Sequence, residues 1–202
     1  MKWVIIGSAG QLGAELLDLM TDSAVGLPRD MGDLTNPLQL ERNLLAEKPD
    51  GVINCAAFNH VDKAEDSPDE AFANNSWGVK DLAIICDKYN WKFVQFSTDH
   101  VFSGSKSVPW VETDLAVPAN AYGLSKYSGE MWAQKMNTNT YNIKQIETID
   151  ENLEIREEIA QKYEVALRGT KIRIPKDSNN ICICKTTSRF LYENLYKFFS
   201  LL

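Results

Sequence analysis

Long apolar runs are the first thing missing from this sequence of 202 residues. No segment reaches the roughly 18 uncharged apolar residues that a membrane-crossing helix needs. The opening MKWVIIG runs straight into a glycine-bearing turn, with neither an extended apolar region nor a cleavage site, so no secretory signal and no membrane partner are expected. Basic charge is also short. Lys and Arg number 21 against 28 Asp and Glu, a net charge of −7, which argues against a nucleic-acid surface and against attraction to anionic membranes. Cysteine is sparse, and Cys55, Cys86, Cys182 and Cys184 show no zinc or redox spacing; the reading is buried, reduced thiols in a cytoplasmic protein, with no metal site. What remains is ordinary for a folded soluble chain, 44% hydrophobic and 24% charged. Its length suits one full domain and a small appendage.

Residues 1–136 alternate short apolar runs with helical patterns. WVIIG (3–7) reads as a buried strand, and an amphipathic helix covers 12–20. A second strand lies at 24–27. Asn36-Pro37 then opens a helix through 38–48, with Asn36 as cap and Pro37 at the first helical position. Strands at 51–57 and 91–98 bracket a long helix at 69–88, and a last helix spans 121–136. Strand–helix alternation with short connections predicts an α/β fold, a doubly wound parallel sheet of the NAD(P)-binding Rossmann type. Residues 137–202 differ and form a short, atypical C-terminal extension. The first 136 residues carry 11 basic and 19 acidic side chains, the remainder 10 and 9. The extension holds an Asn/Thr-rich stretch (137–142), a charged helical pattern (150–162), a strand-like segment (164–174) and a short apolar helix (188–202), with no chemical motif.

Gly7, Gly10 and Gly13 form GSAGQLG between the first strand and the first helix. Glycine at these places allows a tight turn, close approach of backbone to a pyrophosphate, and close helix–strand packing, while the helix N-terminus supplies free N–H donors. Glycine-rich turns that serve packing alone are the bland alternative. The second strand ends LPRD, where a dinucleotide site meets the adenosine ribose. Arg29 there would favour a 2′-phosphate, yet a solvated surface arginine explains it nearly as well, so NADPH and NADH both stay open. Asp33 accepts from adenine on one reading and is a turn carboxylate on the other.

Tyr122-Gly-Leu-Ser-Lys126 begins the last helix. Four residues make about one turn, so phenol and ammonium project from one face. A free phenol ionises near pH 10, and bringing that to about 7 takes about 4 kcal/mol of phenolate stabilisation, which a neighbouring lysine and an oxidised cofactor ring can supply. During reduction the tyrosine gives its proton to a carbonyl oxygen as hydride reaches the carbon. Thr98, at the end of the fourth strand, stands at the right sheet edge to polarise that oxygen. A surface helix that happens to carry an aromatic is the alternative for an isolated Tyr-x-x-x-Lys.

With these residues in place, the chain resembles the dTDP-4-dehydrorhamnose reductase family. The matching stretches are GSAGQLG (7–13), INCAAFNHVDKAE (53–65), STDHVFSG (97–104) and PWVETDLAVPANAYGLSKYSGE (109–130), within residues 1–136. The resemblance implies reduction of a 4-keto sugar on a nucleoside diphosphate, as in dTDP-L-rhamnose biosynthesis. It makes Thr98, Tyr122 and Lys126 the catalytic set. Gly10, Gln11, Leu12, Asp33, Leu34, Ala56, Ala57, Phe58 and Asn59 become cofactor contacts beside Gly7, Gly13, Arg29, Tyr122 and Lys126. Thr98, Asp99 and His100 become substrate contacts; His100 stands where the family often has Tyr, and a structural role is the commoner one for a lone histidine. The resemblance also implies a homodimer. Family members continue well past this region with an Arg-Thr-bearing strand and a sugar-nucleotide lobe, of which Arg168-Gly169-Thr170 is at best a faint echo. Two alternatives therefore stand beside the reductase: a non-catalytic binding or regulatory protein, similar to the regulatory subunit of methionine adenosyltransferase, and a truncated inactive product.

Overall fold

The computed structural model describes residues 1–105 and 114–146 and the strand 180–184. Strand β1 (Trp3–Ile6) leads through α1 (Gln11–Leu19) to β2 (Ala24–Leu27), then α2 (Pro37–Glu47) and β3 (Gly51–Asn54). Two short helices, α3 (Val61–Asp66) and α4 (Pro68–Phe72), run into a π-helical segment (Ala73–Gly78) and α5 (Val79–Lys88). Strand β4 (Lys92–Phe96) is followed by a 3₁₀ turn (Asp99–Val101), α6 (Ala121–Met136), β5 (Thr140–Ile146) and β6 (Asn180–Cys184). All strands pair in parallel, in the order β2-β1-β3-β4-β5-β6. This is the expected doubly wound α/β fold.

Alternate strand residues feed two cores, as the period of two requires. Val4, Ile6, Val52 and Phe93 face α2, α5 and α6 through Leu40, Leu44, Val79, Leu82 and Ala133. Trp3, Ile5, Ile53 and Val94 pack on the other side with Leu16 and Met20 of α1. β1, β3 and all but the first residue of β4 are buried on both faces, so they read as largely continuous runs and not as alternating ones. Asn36 caps α2 as expected, its side-chain oxygen accepting from the Gln39 N–H at 3.3 Å, with Pro37 in the first turn.

Three features depart from the sequence reading. The helix expected at 69–88 is interrupted by the π-helical segment, and α3 precedes it. Strand β5 lies where an Asn/Thr-rich stretch beyond residue 136 had shown no strand pattern, and it continues the sheet next to β4. β6 extends the sheet again. The expected elements at 150–162, 164–174 and 188–202, with Arg168-Gly169-Thr170, lie outside the described residues.

The π-helical segment packs against α6 at Gly129, where a Cβ would run into the Asn75 carbonyl oxygen. Backbone cannot yield there as a flexible side chain would. Gly129→Ala should therefore lower stability by about 2 kcal/mol or more in urea unfolding; a loss under about 0.5 kcal/mol would contradict this packing.

Candidate active site

A cavity of about 570 Å³ opens beyond the C-terminal ends of β1, β2 and β3. The strand order reverses between β1 and β3, and at such a switch point the loops of an open α/β sheet part to admit a ligand. Gly7 and Gly10 line it from the first turn, Arg29, Asp33 and Leu34 from the segment after β2, and Ala56, Ala57, Phe58 and Asn59 from the segment after β3. All nine were singled out from sequence. Gly7 takes a φ of +75° and sits so close to β3 that a Cβ would lie 2.7 Å from the Ala56 nitrogen, so only glycine fits.

Gln11, Leu12 and Gly13 are not among the lining residues. Leu12 packs toward the α1 core, and Gly13 abuts the Gly7 carbonyl. These three form the first turn of α1, whose N-cap Gly10 makes no side-chain cap, so their N–H groups stay available to an anion. An uncapped helix start behind a glycine cradle fits a dinucleotide pyrophosphate. Asp33 lines the cavity, and it is the turn carboxylate of one of its two readings: its Oδ1 accepts from the Thr35 N–H at 2.9 Å and hydroxyl at 2.8 Å. Sequence reasoning did not find Cys55, His60 and Lys63, which also line the cavity. No metal motif was expected; among the described residues no cluster of three or more His, Cys, Asp or Glu is placed to hold one.

Thr98, at the end of β4, and Tyr122 and Lys126, at the start of α6, are not among the residues that line this cavity; Tyr122 neighbours its wall through the cluster it forms with Phe58, and Lys126 through Cys55. Asn120 caps α6, its Oδ1 accepting from the Gly123 N–H at 2.7 Å, and Glu65 of α3 accepts the Ala121 N–H at 2.6 Å. A carboxylate at that end also suits the helix dipole. The Tyr122 ring is buried with Ala64 and Ala71 and packs on Phe58, a cavity-lining residue. Lys126 is only 5% exposed and donates from Nζ to the Phe96 carbonyl at 2.6 Å. Burial pulls its ammonium down from the usual lysine value to about 8, while Glu130 and Cys55 pull it upward. Burial in turn pushes the Cys55 thiol up, with Lys126 acting against that. Cys55 thus links the lysine to the cavity wall.

The Phe96 carbonyl accepts a second bond, from Gln95 Nε2 at 2.7 Å. Gln95 Oε1 accepts from Asn54 Nδ2 at 2.8 Å, and Asn54 Oδ1 accepts from the Ala56 N–H at 3.1 Å. A line of buried amides therefore ties the loop after β3 to the lysine's acceptor. Asn75 makes a second tie. Its carboxamide accepts from the Phe58 N–H and donates to the Phe58 carbonyl, both at 2.8 Å, and donates to Ser125 Oγ at 3.0 Å. Ser125 donates to the Tyr122 carbonyl at 2.7 Å. Sequence reasoning missed Asn75, because nothing in local spacing announces which buried amide will bridge two loops.

Thr98 Oγ1 donates to Asp99 Oδ1 at 3.0 Å and accepts from the His100 N–H at 3.2 Å. Polarising a substrate oxygen requires that hydroxyl proton to swing away from Asp99. His100 lies edge-on to Tyr122, ring centroids 5.4 Å apart, and its Nδ1 is 3.0 Å from Asn120 Nδ2. Since Asn120 Oδ1 is engaged by Gly123, the amide nitrogen is the donor and Nδ1 the acceptor.

Comparison with known proteins agrees with this geometry. A family model described as the RmlD substrate binding domain matches residues 1–146. A dTDP-4-dehydrorhamnose reductase of Burkholderia thailandensis is 42% identical over 133 residues, 65% of this chain and 45% of that protein. A dTDP-4-keto-6-deoxy-D-glucose reductase of Streptomyces niveus is 33% identical over 132 residues, 64% of this chain and 46% of its own. The chain thus spans about half the length of these curated relatives. A crystal structure of a dTDP-4-dehydrorhamnose reductase from Clostridium acetobutylicum superposes with a TM-score of 0.70 at 32% identity, covering 80% of this chain and 60% of that one. A Bacillus anthracis dTDP-4-dehydrorhamnose reductase in complex with NADP gives 0.69 at 27% identity, with 80% and 61% covered.

Two outcomes follow from the buried network. Lys126 ionises at about 8 in the fold against its usual 10.5, so the unfolded chain holds the extra proton between those values and stability rises with pH across that window. Relative to Lys126→Met, the native protein should gain about 3 kcal/mol between pH 8 and 10.5 in denaturant unfolding; a flat difference contradicts a depressed lysine. Asn75→Ala should cost about 2–4 kcal/mol, since it strips both Phe58 groups of their partner. A loss below about 1 kcal/mol would show that Asn75 ties nothing.

Proposed function

We propose, from the premise that this chain belongs to the RmlD substrate-binding-domain family, that it reduces the 4-keto group of a nucleotide-linked deoxy sugar with NADPH or NADH. The observation that carries this reading is the buried Lys126 ammonium, one helical turn from Tyr122 and beside a cavity suited to a dinucleotide. A desolvated cation destabilises a fold, and a module that only bound the cofactor would have no use for it.

In this reading the first turn of α1 and the Gly7–Gly10 cradle hold the pyrophosphate, and the Ala56–Asn59 segment faces the nicotinamide half. Arg29 and Lys63 line the cavity together with Asp33, Asp66 and Glu70; of these Arg29, in the segment after β2, is the group placed for the 2′-phosphate of NADPH. The bound reduced nicotinamide supplies hydride to the sugar carbonyl carbon. Thr98 turns its hydroxyl from Asp99 to the carbonyl oxygen, and Tyr122 donates its phenolic proton to that oxygen. Lys126 stabilises the phenolate left behind, and solvent returns the proton. Asp99 and His100 flank the sugar. We place the protein in the cytoplasm, in keeping with the free thiols of Cys55 and Cys86, and take a second copy as its partner, as the family resemblance implies. No helix among the described residues is long and apolar enough to cross a membrane.

NADPH absorbance should fall when the chain meets a dTDP-4-keto-6-deoxy sugar, and Tyr122→Phe should slow that loss by about 10²–10⁴-fold. Energy transfer from tryptophan to NADPH reports binding separately. Binding without turnover would leave a cofactor-binding protein and refute the reductase. Arg29→Ala should weaken NADPH about tenfold, equivalent to about 1.4 kcal/mol, and leave NADH unchanged; equal weakening of both would remove Arg29 from the 2′-phosphate.

A further inference from the structure

Tyr122, Lys126 and Glu130 follow one another at intervals of four along α6, and all three are buried, Glu130 to 2% exposure. A spacing of four puts them on one stripe of the helix. That stripe lies against the end of β4, and consecutive residues there meet it in turn. The Phe96 carbonyl accepts from Lys126, and the Ser97 hydroxyl donates to Glu130 Oε1. Ser97 is itself pinned to β5, its N–H donating to the Ile143 carbonyl at 2.7 Å. Thr98 comes next, offering the hydroxyl that the reduction uses.

We propose that Glu130 is a positioning residue, a buried counter-charge anchored by Ser97 that keeps Lys126 cationic beside Tyr122. A neutral carbonyl alone does not compensate an ammonium withdrawn from water, because burial favours the uncharged amine. A fixed carboxylate one turn along the helix opposes that drift, and the charge effect of Glu130 on Lys126 acts in this direction. Among the described residues, the titratable groups that face this stripe from other elements are Cys55 after β3, beside Lys126, and His100 in the turn after β4, edge-on to Tyr122. Cys55 is held as the neutral thiol by its own burial, which leaves Glu130 as the carboxylate on the lysine's own helix face. The catalytic consequence rests on the reductase reading; the electrostatic one does not.

The test is the ionisation of Lys126 in the full chain, followed by the ¹⁵N signal of its ζ nitrogen and assigned with Lys126→Arg. Glu130→Gln keeps an acceptor for Ser97 and removes the charge. It should lower the Lys126 midpoint by about one pH unit or more, a tenfold change in the fraction deprotonated. Glu130→Asp, which keeps the charge, should restore at least half of that shift. In the unmodified protein the Glu130 carboxyl ¹³C signal should report an ionised group at pH 7, and this measurement decides the matter should Glu130→Gln fail to fold. An unchanged Lys126 midpoint in Glu130→Gln, or a protonated Glu130 at pH 7 in the unmodified protein, overturns the proposal. These signals need no turnover, so a shifted lysine in a chain that never oxidises NADPH would sink the reductase reading and leave the counter-charge standing.

Discussion

An ammonium withdrawn from water must be answered from within the fold, and much of the layout around Lys126 consists of that answer. The Phe96 carbonyl reaches it because β4 ends there, and α6 passes close enough because Gly129 lets it lie on the Asn75 carbonyl. Gln95, next to Phe96 on β4, holds the same carbonyl, and Asn54 on the adjacent β3 connects Gln95 to the Ala56 N–H. Lysine, sheet edge and cavity loop are thus one hydrogen-bonded body. Movement of any one of them would expose a buried polar group, at about 1–3 kcal/mol each.

Asn75 extends this body to the phenol. It satisfies both backbone groups of Phe58 as a neighbouring strand would, and it reaches Ser125, whose hydroxyl donates to the Tyr122 main-chain carbonyl. It does so from a π-helical segment, and such insertions gather at functional sites because they re-aim one side chain without ending the helix. The cavity at the switch point is built by the segments after β1, β2 and β3 and the Tyr122–Lys126 pair by α6, and these amides tie the two together.

The parts legible in the sequence were those governed by local rules. β1, buried on both faces, appears as a short apolar run and was placed to within a residue, as was the half-buried edge strand β2. Asn36-Pro37 marked a helix start through cap chemistry, and the glycine turn and the four-residue Tyr–Lys spacing pointed to the cavity and its neighbour. What stayed hidden depends on tertiary contact. Strand β5 carries Thr140 and Asn142 among its buried residues, and a run that polar does not read as a strand. Thr140 is satisfied by the Ala133 carbonyl at 3.0 Å, a bond that exists only once α6 has packed. Helix α3 is six residues long and mostly acidic or exposed, too short for a periodic pattern. The roles of Gln95, Asn75 and Glu130 come from partners 17 to 50 positions away in the chain, beyond the reach of any spacing rule.

In the proposed reductase, the Lys126 cation and a bound oxidised dinucleotide together make the Tyr122 phenol acidic. Phenolate absorbance near 295 nm, followed against pH in the chain saturated with NADP⁺ and corrected by subtracting Tyr122→Phe, isolates that one hydroxyl. The account predicts a Tyr122 midpoint about two or more pH units below the value near 10 of an ordinary tyrosine. A midpoint at the ordinary value would contradict it.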